Sequence, residues 1–188
     1  PMQFSSRMTW IEPFGPSFGF GVDAISLWLV LLTAFLMPLV VLGSFSAVSH
    51  RHREFFAWLL ALEAAMIGTF VATDLIFFYI CFEFTLIPLY FLIGVFGSTQ
   101  RLKAARIFFL YTFTGSMLTF AGVLYVAWWH ASGNGGVWSF SIQRLAEAAR
   151  QMSATQQMWV LLALLAGFAV KVPLFPFHTW LPLAHTEA

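Results

Sequence analysis

Charge is what this sequence lacks: of 188 residues only 9% are Asp, Glu, Lys or Arg, where a soluble globular domain carries roughly 25%. So few charges cannot clothe a water-facing surface, and lipid is the solvent that demands such poverty over long stretches. Nine Lys and Arg against eight Asp and Glu leave a net charge of +1. With no basic face or arginine-rich run, the phosphate-neutralising term behind nucleic-acid binding has no source. One cysteine, Cys81, excludes an internal disulfide and any CxxC metal or redox site. Nothing resembling GxGxxG occurs, so the residues offer no dinucleotide, flavin or iron–sulfur chemistry on this chain. Pro1 in place of an initiating Met, and an end at Ala188 inside an apolar, proline-marked region, read as a fragment.

What is present is apolar: 60% hydrophobic and 19% aromatic residues. Five runs reach or approach the ~20 residues that a bilayer's hydrocarbon requires. They are residues 24–48 without any charge, 55–73 containing Glu63, 75–96 containing Glu83, 107–130, and 158–184 with Lys171 near the middle. The expected class is therefore all-α and transmembrane, a polytopic helical bundle, with residues 1–23 as an extracytoplasmic N-terminal loop and 24–188 as the membrane domain. Arg51 and Arg53, then Arg101, Lys103 and Arg106, fall in alternate loops and mark the cytoplasmic side. Arg7, Glu12, Asp23, Asp74, Arg144, Glu147 and Arg150 fall on the other. In residues 141–152, Ile142, Leu145, Ala149 and Met152 form one apolar stripe opposite Gln143, Arg144, Glu147 and Arg150. This predicts a short amphipathic helix on the membrane surface, with a solvated linker helix as the alternative.

A charge at mid-bilayer costs about 2.5–3.5 kcal/mol on insertion scales, so each one needs a partner, water or a function. Glu83 lies about 13 Å along its segment from Leu75. Tyr79, Ile87, Tyr90 and Gly94 share or border its face, and Pro88 cannot donate to the carbonyl of Phe84, which predicts a kink with Thr85 as the nearest hydroxyl. Glu83 reads as a protonatable carboxylate on a hydrated path, with a structural ion pair as the alternative. Glu63, among Ala64, Ala65 and Gly68, is a weaker candidate for the same role. In Lys171-Val-Pro-Leu-Phe-Pro-Phe-His178 two prolines must break the helix beside the lysine. Broken membrane helices occur where freed carbonyls face protein or water, and transporters place such breaks at ion sites. The distance of a carboxylate would then decide whether Lys171 holds its proton, and Glu83 is the natural partner. His178 and His185 follow at seven-residue steps and would align with Lys171 if the helical phase survived; His178 is the better relay candidate. Thr112, Thr114, Gly115, Ser116, Thr119 and Gly122 suit close helix approach, or a wet crevice.

The stretches DLIFFYICFEFTLIPLYFLIGVFG (74–97), RLKAARIFFLYT (101–112) and KVPLFPFHTWLPLAHTEA (171–188), with GVDAISL at 21–27, strongly resemble the subunit M (mitochondrial subunit 4) type of antiporter-like membrane subunit of respiratory complex I, the NADH:quinone oxidoreductase. The resemblance begins at about Phe14. It implies part of an antiporter-like inverted-repeat fold of about fourteen helices, ending here in the proline-broken one. It also implies that Glu83 and Lys171, which match the family's FEFTLIP-like and KVPLFP-like motifs, form the pair that drives proton translocation. The family has Asp where this chain has Leu183. Implied partners are the other membrane subunits of complex I, the lipid bilayer, and quinone reached only through the complex. NAD, flavin, iron–sulfur clusters and quinone would be held by partner subunits and no cofactor by this chain. The implied location is the bacterial inner (plasma) membrane, with the mitochondrial inner membrane as the alternative. Competing functions are a subunit of a Mrp-type cation/proton antiporter or membrane-bound hydrogenase, and a structural membrane scaffold.

Overall fold

The computed structural model describes residues 2–11 and 15–187; Glu12, placed by its charge on the outer side, and Phe14, where the family resemblance begins, lie outside the described residues. Gln3–Thr9 (β1) and Ser17–Val22 (β2) pair antiparallel, with Ser6 opposite Phe20 and Thr9 opposite Ser17. The segment expected as a loop is thus a hairpin. Its alternation is visible in Ser-Phe-Gly-Phe-Gly-Val, where Ser17, Gly19 and Gly21 are buried while Phe18 and Phe20 lean on Phe77 at 5.6 and 4.9 Å. The glycines permit that approach, because a Cβ on Gly21 would lie 2.8 Å from the Thr73 methyl.

Helices follow in chain order: α1 (Ala24–Ala47), α2 (His52–Val71), α3 (Leu75–Phe84), α4 (Leu86–Phe96), α5 (Arg101–Gly133), α6 (Ile142–Gln151), α7 (Ala154–Lys171) and α8 (Trp180–Glu187). Counting α3 and α4 together, five spans among the described residues are long and apolar enough to cross a membrane. Caps begin several of them. The Asp23 carboxylate accepts from Ser26 N at 2.7 Å while Asp23 N donates to Ser26 Oγ at 2.8 Å; hydrogen bonding from Ser26, its backbone amide foremost, holds the Asp23 carboxyl below its ordinary range. Ser153 and Gln156 cap α7 in the same reciprocal way.

At the expected kink the helix is interrupted for one residue, with Thr85 itself keeping right-handed helical dihedrals. The helical ladder stops at Thr85, three residues before Pro88, because the proline ring withdraws a donor and crowds the carbonyl one turn back. The second expected break is also present: α7 ends at Lys171 and helix resumes only at Trp180. The carbonyls freed at that end are answered from within the chain. Phe168 O accepts from Val172 N at 2.7 Å and Ala169 O from Leu174 N at 2.8 Å. Val170 O accepts from the Trp180 indole at 2.9 Å, so three carbonyls at the end of α7 have donors where the backbone leaves the helix.

Two apolar clusters hold the bundle. Leu86 and Ile93 of α4, Ala104, Ala105 and Phe108 of α5, and Trp180 and Ala184 of α8 form one, with Leu183 packed at its edge. Val126 and Ala127 of α5, Phe140, and Leu145 and Met152 of α6 form the other. On α6 Leu145 is buried and Arg144, Glu147 and Arg150 are exposed. Against α7, α5 presents its small residues: a Cβ on Gly115 would stand 2.6 Å from Val170 Cβ, and one on Gly122 3.2 Å from Ala163 Cβ. Close packing therefore accounts for these glycines. Gly115→Ala is expected to destabilise the protein by about 1–3 kcal/mol through overpacking. Thermal unfolding of the complete protein in micelles should show a lower Tm, and an unchanged Tm would contradict the contact.

Asp74, read from sequence as a lone loop charge, is a buried junction. Its Oδ1 accepts from Ile76 N at 3.0 Å and Phe77 N at 3.4 Å, capping α3, and its Oδ2 accepts from Ser17 N at 3.2 Å and Ser17 Oγ at 2.8 Å. Thr73 N donates to Gly19 O, Ile142 N to Thr73 O and Leu75 N to Phe140 O, so β2, α3 and the approach to α6 meet here. Asp74→Ala strands these donors and should cost about 2–4 kcal/mol locally. Amide hydrogen exchange in the complete protein should quicken together at residues 17–20 and 76–77; unaltered protection of β2 would refute the tether.

Candidate functional site

Three breaks of regularity bring the site together: the interruption at Thr85, the end of α7 at Lys171, and the polar stripe of α5. Thr85 lies one turn into a segment whose next proline cannot continue the ladder, so its hydroxyl turns back and donates to Phe82 O at 2.7 Å. Lys171, the last residue of α7, reaches across to the same carbonyl, with Nζ donating to Phe82 O at 3.0 Å. Nζ also lies over the Phe82 ring, 3.1 Å from its centroid, a cation–π seat that carries more weight out of water. The ring is held in place by Phe78, stacked at 5.5 Å, and by the edge of Phe168 at 6.2 Å.

Glu83 is the next residue. Both of its carboxylate oxygens are buried and neither makes a hydrogen bond among the described residues. Among the described residues no ion pair joins it to Lys171, although Lys171 and Ser116 are the polar neighbours acting on the carboxylate. The Ser116 hydroxyl, buried in α5, is turned to Phe113 O at 2.8 Å. Tyr79, one turn before Glu83, stacks on Phe120 at 4.5 Å and leaves its buried hydroxyl without a partner. Tyr90, beyond the break, is engaged with Phe91 and Phe109.

The other candidates are placed differently. Glu63 is half-buried on α2 and makes no hydrogen bond or ion pair among the described residues. His178 lies in the non-helical link, 5.7 Å from Phe175 between ring centroids, with Nδ1 buried and unpartnered. His185 is exposed on α8. The seven-residue alignment of Lys171, His178 and His185 is therefore lost, because the two prolines unwind the turn between the first two.

The sequence holds no sign of the Phe82 carbonyl, since a backbone acceptor has no residue signature, and it offers Ser116 as one of several small or hydroxylated residues of α5 suited to close packing or a wet crevice, without singling it out as a neighbour of Glu83.

Chemically, the arrangement sets an ammonium donor beside two different acceptors: a carbonyl, which accepts hydrogen bonds only, and a carboxylate, which can also take the proton.

Comparison with known proteins gives a consistent picture. Residues 72–188 match the family model described as NADH:quinone oxidoreductase/Mrp antiporter, TM, and residues 2–69 match NADH-ubiquinone oxidoreductase chain 4, amino terminus. The chain is 36% identical over 186 residues to NADH-quinone oxidoreductase subunit M of Rickettsia bellii, covering 99% of this chain and 36% of that protein. It is 41% identical over 193 residues to subunit M of Rhodobacter capsulatus, covering 100% of this chain and 37% of the relative. A solved structure of respiratory complex I from Thermus thermophilus with bound NADH contains a chain that superposes with a TM-score of 0.79 at 30% identity, over 98% of this chain and 37% of that one. The chain thus spans about a third of the length of the relatives it matches.

Proposed function

The chain belongs to the NADH:quinone oxidoreductase/Mrp antiporter membrane family, and from that premise we propose that it is part of a proton-translocating subunit of an NADH:quinone oxidoreductase in the bacterial inner membrane. It supplies no redox chemistry in this reading; electrons pass from NADH to quinone in partner subunits that hold the flavin and iron–sulfur clusters. What it supplies is a proton site built on Glu83 and Lys171. The observation that carries the reading is Lys171 Nζ held 3.0 Å from the carbonyl of the residue adjoining a buried carboxylate that has no hydrogen bond. Such a carboxylate is costly in lipid unless it exchanges its charge with a neighbour. A conformational change elsewhere in the complex that brings the ammonium onto the carboxylate lets the proton pass from nitrogen to oxygen. One that draws them apart lets each group re-equilibrate with a different side.

His178, whose buried Nδ1 faces no partner, is the lateral relay in this reading, and Glu63 a weaker carrier on α2. The family description also covers Mrp antiporters, in which ion exchange would proceed without electron transfer. The test separates them. The complete protein, isolated with its partners and sealed into vesicles, should take up or release protons when NADH and a quinone are supplied. Cation-dependent proton exchange with no response to NADH would assign it to the antiporters instead.

A further inference from the structure

We propose that the Phe82 carbonyl is a second seat for the Lys171 ammonium, one that holds the proton without accepting it, and that Thr85 is the positioning residue that keeps this seat open. This rests on the reading of Glu83 and Lys171 as the proton-carrying pair. In an unbroken helix the Phe82 carbonyl would accept the amide of Leu86 and face along the helix axis. Here the ladder is interrupted at Thr85, and two side-chain donors converge on that oxygen: the Thr85 hydroxyl at 2.7 Å and Lys171 Nζ at 3.0 Å. A hydroxyl bonded back to the carbonyl three residues earlier bends a helix and tilts that carbonyl outward. Two lone pairs accommodate two donors, and the Phe82 ring adds its face to the seat.

The consequence is a two-position switch with adjacent stops. On Phe82 O, Lys171 remains an ammonium, because a carbonyl accepts a hydrogen bond and no proton. On Glu83, one N–H bond breaks and one O–H bond forms; the electron pair stays on nitrogen, leaving a neutral amine and a neutral carboxylic acid. Parking the ammonium one residue from the carboxylate keeps the donor within a short side-chain swing of its acceptor. It also prevents transfer before the conformational change that brings them together.

The test uses the complete protein in its assembled complex, sealed in vesicles, reading protons moved per NADH oxidised, with assembly followed on native gels. Thr85→Val keeps the shape and removes the hydroxyl, and Thr85→Ala removes it without a second branch should valine not assemble. Either should lower proton movement about three- to tenfold, the worth of an ordinary hydrogen bond, while Thr85→Ser restores most of it. Wild-type pumping in Thr85→Val or Thr85→Ala overturns the proposal, and so does an equal loss in Thr85→Ser, which would mark packing rather than the hydroxyl. Lys171→Met, run beside them, keeps the two readings apart. If it pumps normally, the proton-pair reading itself fails; if it does not pump while Thr85→Val does, only the second seat fails.

Discussion

Glu83→Gln is expected to leave the complex assembled and to reduce proton movement by roughly 10²–10⁴-fold, the range over which a positioned acid or base contributes. Glutamine reproduces the shape of the side chain in its pocket beside Ser116 and Tyr79 but cannot carry the proton. Stability should not fall with it. The carboxylate oxygens make no hydrogen bond and no ion pair among the described residues, so the amide breaks no contact and removes a costly charge from lipid. Loss of transport with retained assembly is the signature of a carrier. A scaffold carboxylate would show the reverse, and it would also tolerate Glu83→Asp, whereas a proton site one methylene out of reach should not.

Lys171→Met carries the second largest effect, and Lys171→Arg shows which property of the lysine matters. Methionine keeps most of the stem and loses both the bond to Phe82 O and the cation over the Phe82 ring. Proton movement should fall by roughly 10²-fold or more. Arginine retains the positive charge and its hydrogen bonds but does not release a proton in a protein. If Lys171 merely pins the end of α7 to α3, arginine should pump nearly as well as lysine. If it carries the proton, arginine should fail as completely as methionine, with both variants assembled on native gels. Vesicle proton uptake and quinone reduction, measured together, decide between these.

The parts of this architecture that were legible in the sequence were those written in charge and proline. Glu83 and Lys171 stood out because a charge in an apolar run is expensive, and the break after Lys171 because two prolines within six residues leave no helical alternative. The interruption of the third span was legible in kind but not in place: Pro88 announced it, while the helix gives way at Thr85, where the proline ring needs room. The hairpin was hidden because β1, Gln-Phe-Ser-Ser-Arg-Met-Thr, has no apolar alternation and β2 alternates only through two glycines, so no strand pattern was strong enough to outweigh the composition of a loop. Asp74 was legible only as a loop charge, because its bonds to Ser17 join residues 57 apart and leave no local trace. The same holds for the Phe82 carbonyl, which is a chemical group of every residue and becomes a site only through the fold around it.

Whether Glu83 and Lys171 exchange a proton or merely hold helices together is decided by proton uptake per NADH oxidised in sealed vesicles bearing the assembled complex, compared between wild type and Glu83→Gln. Proton uptake lost in Glu83→Gln at wild-type assembly is the predicted result, and uptake equal to wild type would contradict it.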